Sequence, residues 1–476
     1  MPPDPALTAL LDAHGQGHLL RGADALGPEA LERHLGELRR IDYPLVDRLV
    51  AALVHAQPEA GYDPAEVRPV EVVRLPRTDA ERVARRHAAD AGARMLAAGE
   101  VAVVLVAGGQ GTRLGFDGPK GTYPIGPVTA ASLFQIHAEK VVALGRKHGR
   151  PIPFYVMTSP ENHAATAEFF SAHRNFGLSH LRLFEQGRMP AVDRSTGKIL
   201  LAEPGRVALS PDGHGGTLTA LARDDDGPSC LDEMRERGVK TLFYFQVDNP
   251  LVQIADPAFL GLHRAAEAEV SFKVVEKVLP EEKVGVVVEV AGKPQVIEYS
   301  DLSPELAGRA APAGGLELWA GSIAIHLFDR AFVERLVTGG ATLPYHRAVK
   351  KVPFLDDDGR KVSPAEPNAV KFETFIFDAL PMANRYAIVE TDRAVEFEPL
   401  KNATGADSPA TVRARMSDLF AGWLENAGAT VARGPDGAVP FGIEISPLYA
   451  VDAEELRAKV PMGLVVDRAF ALGPVA

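Results

Sequence analysis

Val103-Val104-Leu105-Val106-Ala107-Gly108-Gly109-Gln110-Gly111-Thr112-Arg113-Leu114-Gly115, closing on Gly118-Pro119-Lys120-Gly121, sets the reading of the chain. The apolar run has the length and the β-branched content of a strand buried on both faces. It empties into a turn rich in glycine, where missing side chains let backbone N–H groups come close to phosphate oxygens. Arg113 and Lys120 add positive charge. Two common phosphate loops do not fit. A P-loop requires Ser or Thr directly after its lysine, and Lys120 is followed by Gly121; a dinucleotide fingerprint requires a third glycine where Leu114 stands.

Outward from this turn, further short apolar runs at 154–157, 242–247 and 270–275 are separated by stretches of helical character, the alternation of βα units. The expected fold class is α/β: a Rossmann-like mixed, mostly parallel sheet flanked by helices. An insertion-like β section is expected at 284–290 and 295–299, with Ala291-Gly292-Lys293-Pro294 as its turn. Upstream, apolar spacing at Leu31, Leu35, Leu38 and at Leu45, Leu49, Val50, Leu53 predicts helices. Thr78 with Glu81 forms a capping box for a helix running to Ala98, stopped by Gly99. Downstream, Ser408-Pro409 opens a helix with Val412, Met416, Leu419 and Trp423 on one face, and Gly434-Pro435-Asp436-Gly437 is a turn. The expected division is a helical section over 1–99, a catalytic nucleotide-sugar domain over 100–401 and a small α+β domain over 402–476.

Composition narrows the function classes. Of 476 residues 46% are hydrophobic and 24% charged, as in ordinary globular proteins. A formal net charge of −12 makes nucleic acid an unexpected partner. The single cysteine, Cys230, rules out an internal disulfide framework and a Cys-based zinc site, and no apolar run approaches the roughly 20 residues that span a bilayer. Met1 to Gly15 lacks the pattern of a signal peptide, so a cytoplasmic setting without membrane contact is the expectation.

The loop from Gly108 to Gly121 resembles the signature of the eukaryotic-type UDP-sugar pyrophosphorylases, and most of all that of the UDP-N-acetylhexosamine pyrophosphorylases. The likeness continues in order through Phe184-Glu185-Gln186-Gly187, Ser210-Pro211-Asp212-Gly213-His214-Gly215-Gly216, Val247-Asp248-Asn249, Val274-Val275-Glu276-Lys277, Val296-Ile297-Glu298-Tyr299, Pro367-Asn368-Ala369-Val370-Lys371-Phe372-Glu373 and Pro399-Leu400-Lys401-Asn402. The resemblance implies an enzyme that joins UTP to a sugar 1-phosphate, N-acetylglucosamine 1-phosphate first, and releases pyrophosphate. Such a transfer needs no general base, since a phosphate monoester with a second pKa of about 6 is already ionised at neutral pH. Lysine, arginine, Mg²⁺ and backbone amides suffice.

By resemblance, Arg113, Lys120 and Lys401 are the catalytic cations. Gly108, Gly109, Gly111, Thr112, Gln186, Gly213, Asp248 and Lys371 bind the nucleotide, with Gln186 offering a donor and an acceptor to the uracil edge. His214, Asn249, Glu298 and Ser322 face the sugar. Asp248 follows an apolar run, at the strand end where ligands bind in open α/β sheets, and its hard carboxylate suits Mg²⁺. His263, His326 and His346 show no metal-ligand spacing and are expected to be structural or exposed. Two positions depart from the N-acetylhexosamine pattern: His214 and Ser322 stand where that family usually carries Asn, which leaves glucose 1-phosphate or several sugar phosphates as the alternative. A UDP-sugar-binding regulator without activity is the reading from another class, and a monomer or weak homo-oligomer is the expected state.

Overall fold

The computed structural model describes residues 4–56, 61–224, 227–339 and 343–473. They divide into two compact units. The larger comprises Pro64–Glu185, Ala220–Ala341 and Ala379–Ala476. Among its described residues, ten strands make one sheet: β1 (Val67–Pro69), β2 (Val101–Val106), β3 (Phe154–Thr158), β4 (Leu181–Glu185), β5 (Thr241–Gln246), β6 (Val270–Glu276), β7 (Val286–Val290), β8 (Lys293–Ile297), β9 (Ala320–Asp329) and β10 (Tyr386–Glu390). β5, β2, β3 and β4 lie side by side in parallel, in that order, and β6 is parallel to β10. The long β9 runs antiparallel to both β5 and β6 and joins the two parallel sets. The fold is thus mixed α/β, as its apolar runs require: β2, β3 and β5 bury nearly every side chain because both faces of the sheet are covered.

Parallel strands point their carboxyl ends the same way, so the turns after β2 and β5 open on one edge. Helix α1 (Asp79–Ala98) starts on the reciprocal Thr78–Glu81 box and ends at Gly99 with φ +73°. Helix α2 (Leu133–Lys147) follows the glycine-rich turn and buries Leu133, Phe134, His137 and Val141. The β7–β8 hairpin is tighter than its sequence suggested. Its turn is Ala291-Gly292, both at positive φ, so β8 begins at Lys293 and Pro294 lies within the strand opposite Glu289.

Helix Pro409–Asn426 sends Val412 and Met416 into the sheet's core and Leu424 into a second small cluster with Ile443, Ile445, Leu456 and Val466. Residues after 402 therefore have a core of their own, yet by contact they belong to the sheet unit. Glu444 accepts hydrogen bonds from the N–H groups of Val128 and Thr129, each at 2.8 Å, and Ser446 donates to Glu139 on α2 at 2.8 Å.

The smaller unit comprises Met1–Asp63, Gln186–Thr219 and Thr342–Asp378. Leu11, Leu38 and Val46 of its N-terminal helices pack with Met189, Val192, Ile199 and Phe372. Ala369–Thr374 pairs antiparallel with Tyr345–Lys350 and with Val192–Asp193. The expected 1–99 section is therefore split: residues to Asp63 cover this short sheet, whereas α1 packs on helix Pro257–Ala265 of the larger unit. Spacing along a helix tells which face is apolar but not which apolar surface receives it.

Cys230 is buried at the start of helix Cys230–Glu236, and burial pushes its thiol up to about 11. His263 is buried against Ser271 and held neutral by desolvation, at about 4; His326 is buried among Tyr244, Phe272 and Phe328; His346 meets Asp378 at 2.7 Å. All three play structural parts. Among the described residues no helix is long and apolar enough to cross a membrane.

Candidate active site

After β2 the chain folds back on itself. Gly111 N–H donates to Gly118 O at 2.9 Å, Lys120 N–H to Gly109 O at 3.0 Å and Phe116 N–H to Gly111 O at 3.1 Å. These bonds close residues 109–111 and 118–120 into the two arms of a narrow hairpin with residues 112–117 at its tip. Gly109, Gln110, Thr112 and Arg113 are exposed, and among the described residues no backbone acceptor meets the N–H groups of Gly108, Gly109 and Gln110. Unpaired N–H groups at an exposed turn are available to an anion. Gly121 has no alternative at its position, because a Cβ there would lie 2.2 Å from the Phe134 ring. Asn162, wholly buried, holds the loop from below: its Nδ2 donates to Ala107 O at 2.9 Å and to Gly109 O at 3.3 Å.

Two charges close the larger unit's part of the site. Lys120 Nζ lies 3.3 Å from Asp248 Oδ2, and both side chains are part-buried. Asp248 comes directly after the β5 edge and is fixed through its backbone, since Leu400 N–H donates to Asp248 O at 2.8 Å. That bond ties the Asp248 stretch to the residue before Lys401. The Lys401 ammonium sits over the Phe397 ring, 5.9 Å from its centroid, with no ion pair among the described residues. Arg113 is exposed and equally unpaired. Helix α2 braces the segment from behind: Lys140 donates to Pro250 O at 2.6 Å and Val252 O at 2.8 Å, and His137 bonds Val247 O at 3.0 Å.

Glu298 and Ser322 are brought together around Gly285. Ser322 N–H donates to Gly285 O at 2.8 Å, and a Cβ on Gly285 would lie 3.0 Å from Glu298 Oε1. Asn249 differs from its expected role. Its Nδ2 donates to Glu396 O at 2.7 Å, its Oδ1 accepts from Leu251 and Glu398 N–H, and only 5% of the residue is exposed. Backbone groups take up both ends of this amide.

In the smaller unit Gln186 approaches Asp212 Oδ1 and Gly213 O, each at 3.5 Å. Gly213 has φ +86°, and a Cβ there would lie 2.3 Å from Thr374 O, so the turn demands glycine. His214 stacks on Phe375, with ring centroids 5.4 Å apart, and its Nδ1 accepts from Ile376 N–H at 3.2 Å. Burial, and secondarily the charge of His346, lowers its pKa to about 4. The ring is neutral and its proton is on Nε2, a single donor where an asparagine would present both donor and acceptor. Lys371 alternates with core Val370 and Phe372 along its strand, which puts it on the opposite face.

The model of the UTP–glucose-1-phosphate uridylyltransferase family matches residues 56–419, which contain the loop, Asp248 and Lys401. The chain belongs to that family. UDP-N-acetylhexosamine pyrophosphorylase-like protein 1 of Homo sapiens is 40% identical over 94% of this chain and 93% of its own. UDP-N-acetylglucosamine pyrophosphorylase of Saccharomyces cerevisiae is also 40% identical, over 78% of this chain and 77% of its own. The solved uridine diphosphate N-acetylglucosamine pyrophosphorylase of Trypanosoma brucei superposes with a TM-score of 0.82 at 26% identity, covering 98% and 99% of the two chains.

Within this uridylyltransferase the supporting residues were the ones that sequence did not reveal. Asn162 carried a faint signal, an Asn four residues beyond a strand end, where side-chain capping of a turn is common. Lys140, Glu396 and Glu444 carried none, because a charged residue far along the chain reads as solvated until the fold buries it.

Proposed function

We propose that this family member converts UTP and N-acetylglucosamine 1-phosphate to UDP-N-acetylglucosamine and pyrophosphate. A phosphate oxygen of the sugar attacks the α-phosphorus of UTP, one P–O bond forms, and the bond to the β-phosphate oxygen breaks. The observation that carries the reading is the exposed first arm of the loop, whose Gly108, Gly109 and Gln110 N–H groups are unpaired among the described residues, across from Lys120. Arg113 and Lys120 neutralise the β- and γ-phosphates as negative charge builds on the leaving group, and Lys401 and Lys371 neutralise the phosphates further. Gln186 and the Gly213 backbone pair with uracil. Glu298 accepts from sugar hydroxyls beside Ser322.

A divalent cation fits this donor set. Asp248 engages Lys120 through one oxygen and keeps the other free among the described residues, and a Mg²⁺ held by one carboxylate and substrate phosphates needs no cage of protein ligands. When bound it would supply charge neutralisation at the phosphates. Among the described residues no three His, Cys, Asp or Glu side chains come together as a metal cage.

His214 and Ser322 favour a second reading, with glucose 1-phosphate as substrate, because neither offers the amide expected against an N-acetyl group. Pyrophosphate release from UTP and Mg²⁺ with each sugar 1-phosphate in turn decides between them; preference for glucose overturns the first. Nucleotide binding with no release for any sugar would indicate a regulator. A reducing, cytoplasmic setting suits the lone buried thiol of Cys230, and a monomer or weak homo-oligomer is proposed, to be checked by light scattering.

A further inference from the structure

Beneath the Asp248 stretch the larger unit buries three charges. Lys273 on β6 donates to both oxygens of Glu396, at 2.7 and 2.8 Å, and to Asp256 Oδ2 at 2.9 Å; the side chains of Lys273 and Glu396 have no exposure at all. Glu396 also accepts from Thr391 Oγ1 at 2.7 Å and from Gln253 N–H at 3.1 Å. Its oxygens are fully occupied. A buried pair of this kind adds little net stability over an apolar pair of equal volume, so its retention calls for another reason, and fixing one register is the best attested.

The register at stake here joins two catalytic segments. From Glu396 the backbone runs through Phe397 to Lys401, and this run is stitched to residues 248–253. Asn249 Nδ2 donates to Glu396 O at 2.7 Å and Asn249 Oδ1 accepts from Glu398 N–H at 3.3 Å. Leu400 N–H donates to Asp248 O at 2.8 Å, and Gln253 N–H reaches the Glu396 carboxylate itself. Asn249 thus bonds both neighbours of Phe397, whose ring lies under the Lys401 ammonium.

We infer that Asn249 and Glu396 are positioning residues for uridylyl transfer: the amide latches the Lys401 segment to the Asp248 segment, and the buried Lys273–Glu396 pair sets where the latch closes. Neither touches substrate. The inference rests on the proposed activity and on Lys401 acting in it. Misplacement of a charged group by about an ångström costs up to a hundredfold in rate, while ground-state binding suffers less.

A double-mutant cycle on the full-length protein tests this, with UTP and the preferred sugar 1-phosphate as substrates. N249A and K401A should each lower kcat by more than about tenfold with KM nearly unchanged, and N249A/K401A should be scarcely slower than K401A, since a latch has nothing left to position. Losses that multiply, or normal kcat in folded N249A, overturn the inference. N249S, which removes the amide without adding a charge and leaves a small polar side chain in the buried site, replaces N249A in the cycle should the latter not fold. K273M/D256N/E396M removes all three charges together, so that no carboxylate is left without its ammonium; the folded variant should stay at least about tenfold slow, and wild-type kcat would overturn the role of the buried charges. An inactive wild type would instead refute the activity on which all of this stands.

Discussion

Lys120 Nζ and Asp248 Oδ2 face each other across 3.3 Å, one from the glycine-rich loop after β2 and the other from the end of β5. Strands β2 and β5 are parallel neighbours, so two residues 128 positions apart are set against each other by six paired positions of one sheet. The pair orders an ammonium and a carboxylate beside open backbone N–H groups before any substrate arrives.

Replacing Lys120 with Ala should lower kcat by about a hundredfold or more, as loss of one preorganised charge at a reacting phosphate does. The fold should stay intact, because the Leu400 N–H bond to Asp248 O does not depend on the lysine. Steady-state pyrophosphate release and a thermal melt on the same sample check both.

Asp248→Asn should raise the Mg²⁺ concentration needed for half-maximal rate by about tenfold, since a neutral amide is a poor partner for a hard cation. Chelation should abolish turnover, and added Mg²⁺ should restore it. An unchanged Mg²⁺ titration in the variant would remove Asp248 from the metal's surroundings.

His214→Asn restores an amide that can both donate and accept. The ratio of kcat/KM for N-acetylglucosamine 1-phosphate over glucose 1-phosphate should rise by about fivefold to tenfold, the effect of one net hydrogen bond. Competition between the two sugar phosphates measures the ratio directly.

The glycine-rich turn and the strand before it were legible because glycine, arginine and lysine at close spacing constrain local conformation, and local conformation is what a sequence states most directly. The capping box at Thr78 and the helix from Pro409 were legible for the same reason. The backbone partners of Asn249, at Glu396 and Glu398, were not legible, since they lie almost 150 positions away and bond it through backbone atoms that no motif encodes. The division into units failed likewise: residues 186–219 and 342–378 join the N-terminal helices through tertiary packing alone.

Acid should destabilise the fold through its buried imidazoles. His263 has a folded pKa lowered to about 4, mainly by desolvation. Between 4 and 6.5 the unfolded chain binds a proton that the folded chain refuses, so stability rises with pH across that window and is lost as pH falls. Full loss for this group is about 3 kcal/mol. Denaturant midpoints of His263→Gln should show a shallower slope over pH 4–6.5 than the parent; equal slopes would dismiss this source.

Cys230 offers a practical handle. Buried and protonated, it should ignore maleimides and other thiol-directed dyes under native conditions. The native chain is therefore a silent background for site-specific labelling: Arg86→Cys on α1 and Arg347→Cys on the short sheet, both exposed, would each take a fluorophore without competition. Energy transfer between those dyes, followed as UTP and then sugar phosphate are added, would report in real time whether either substrate changes the distance between the two labels.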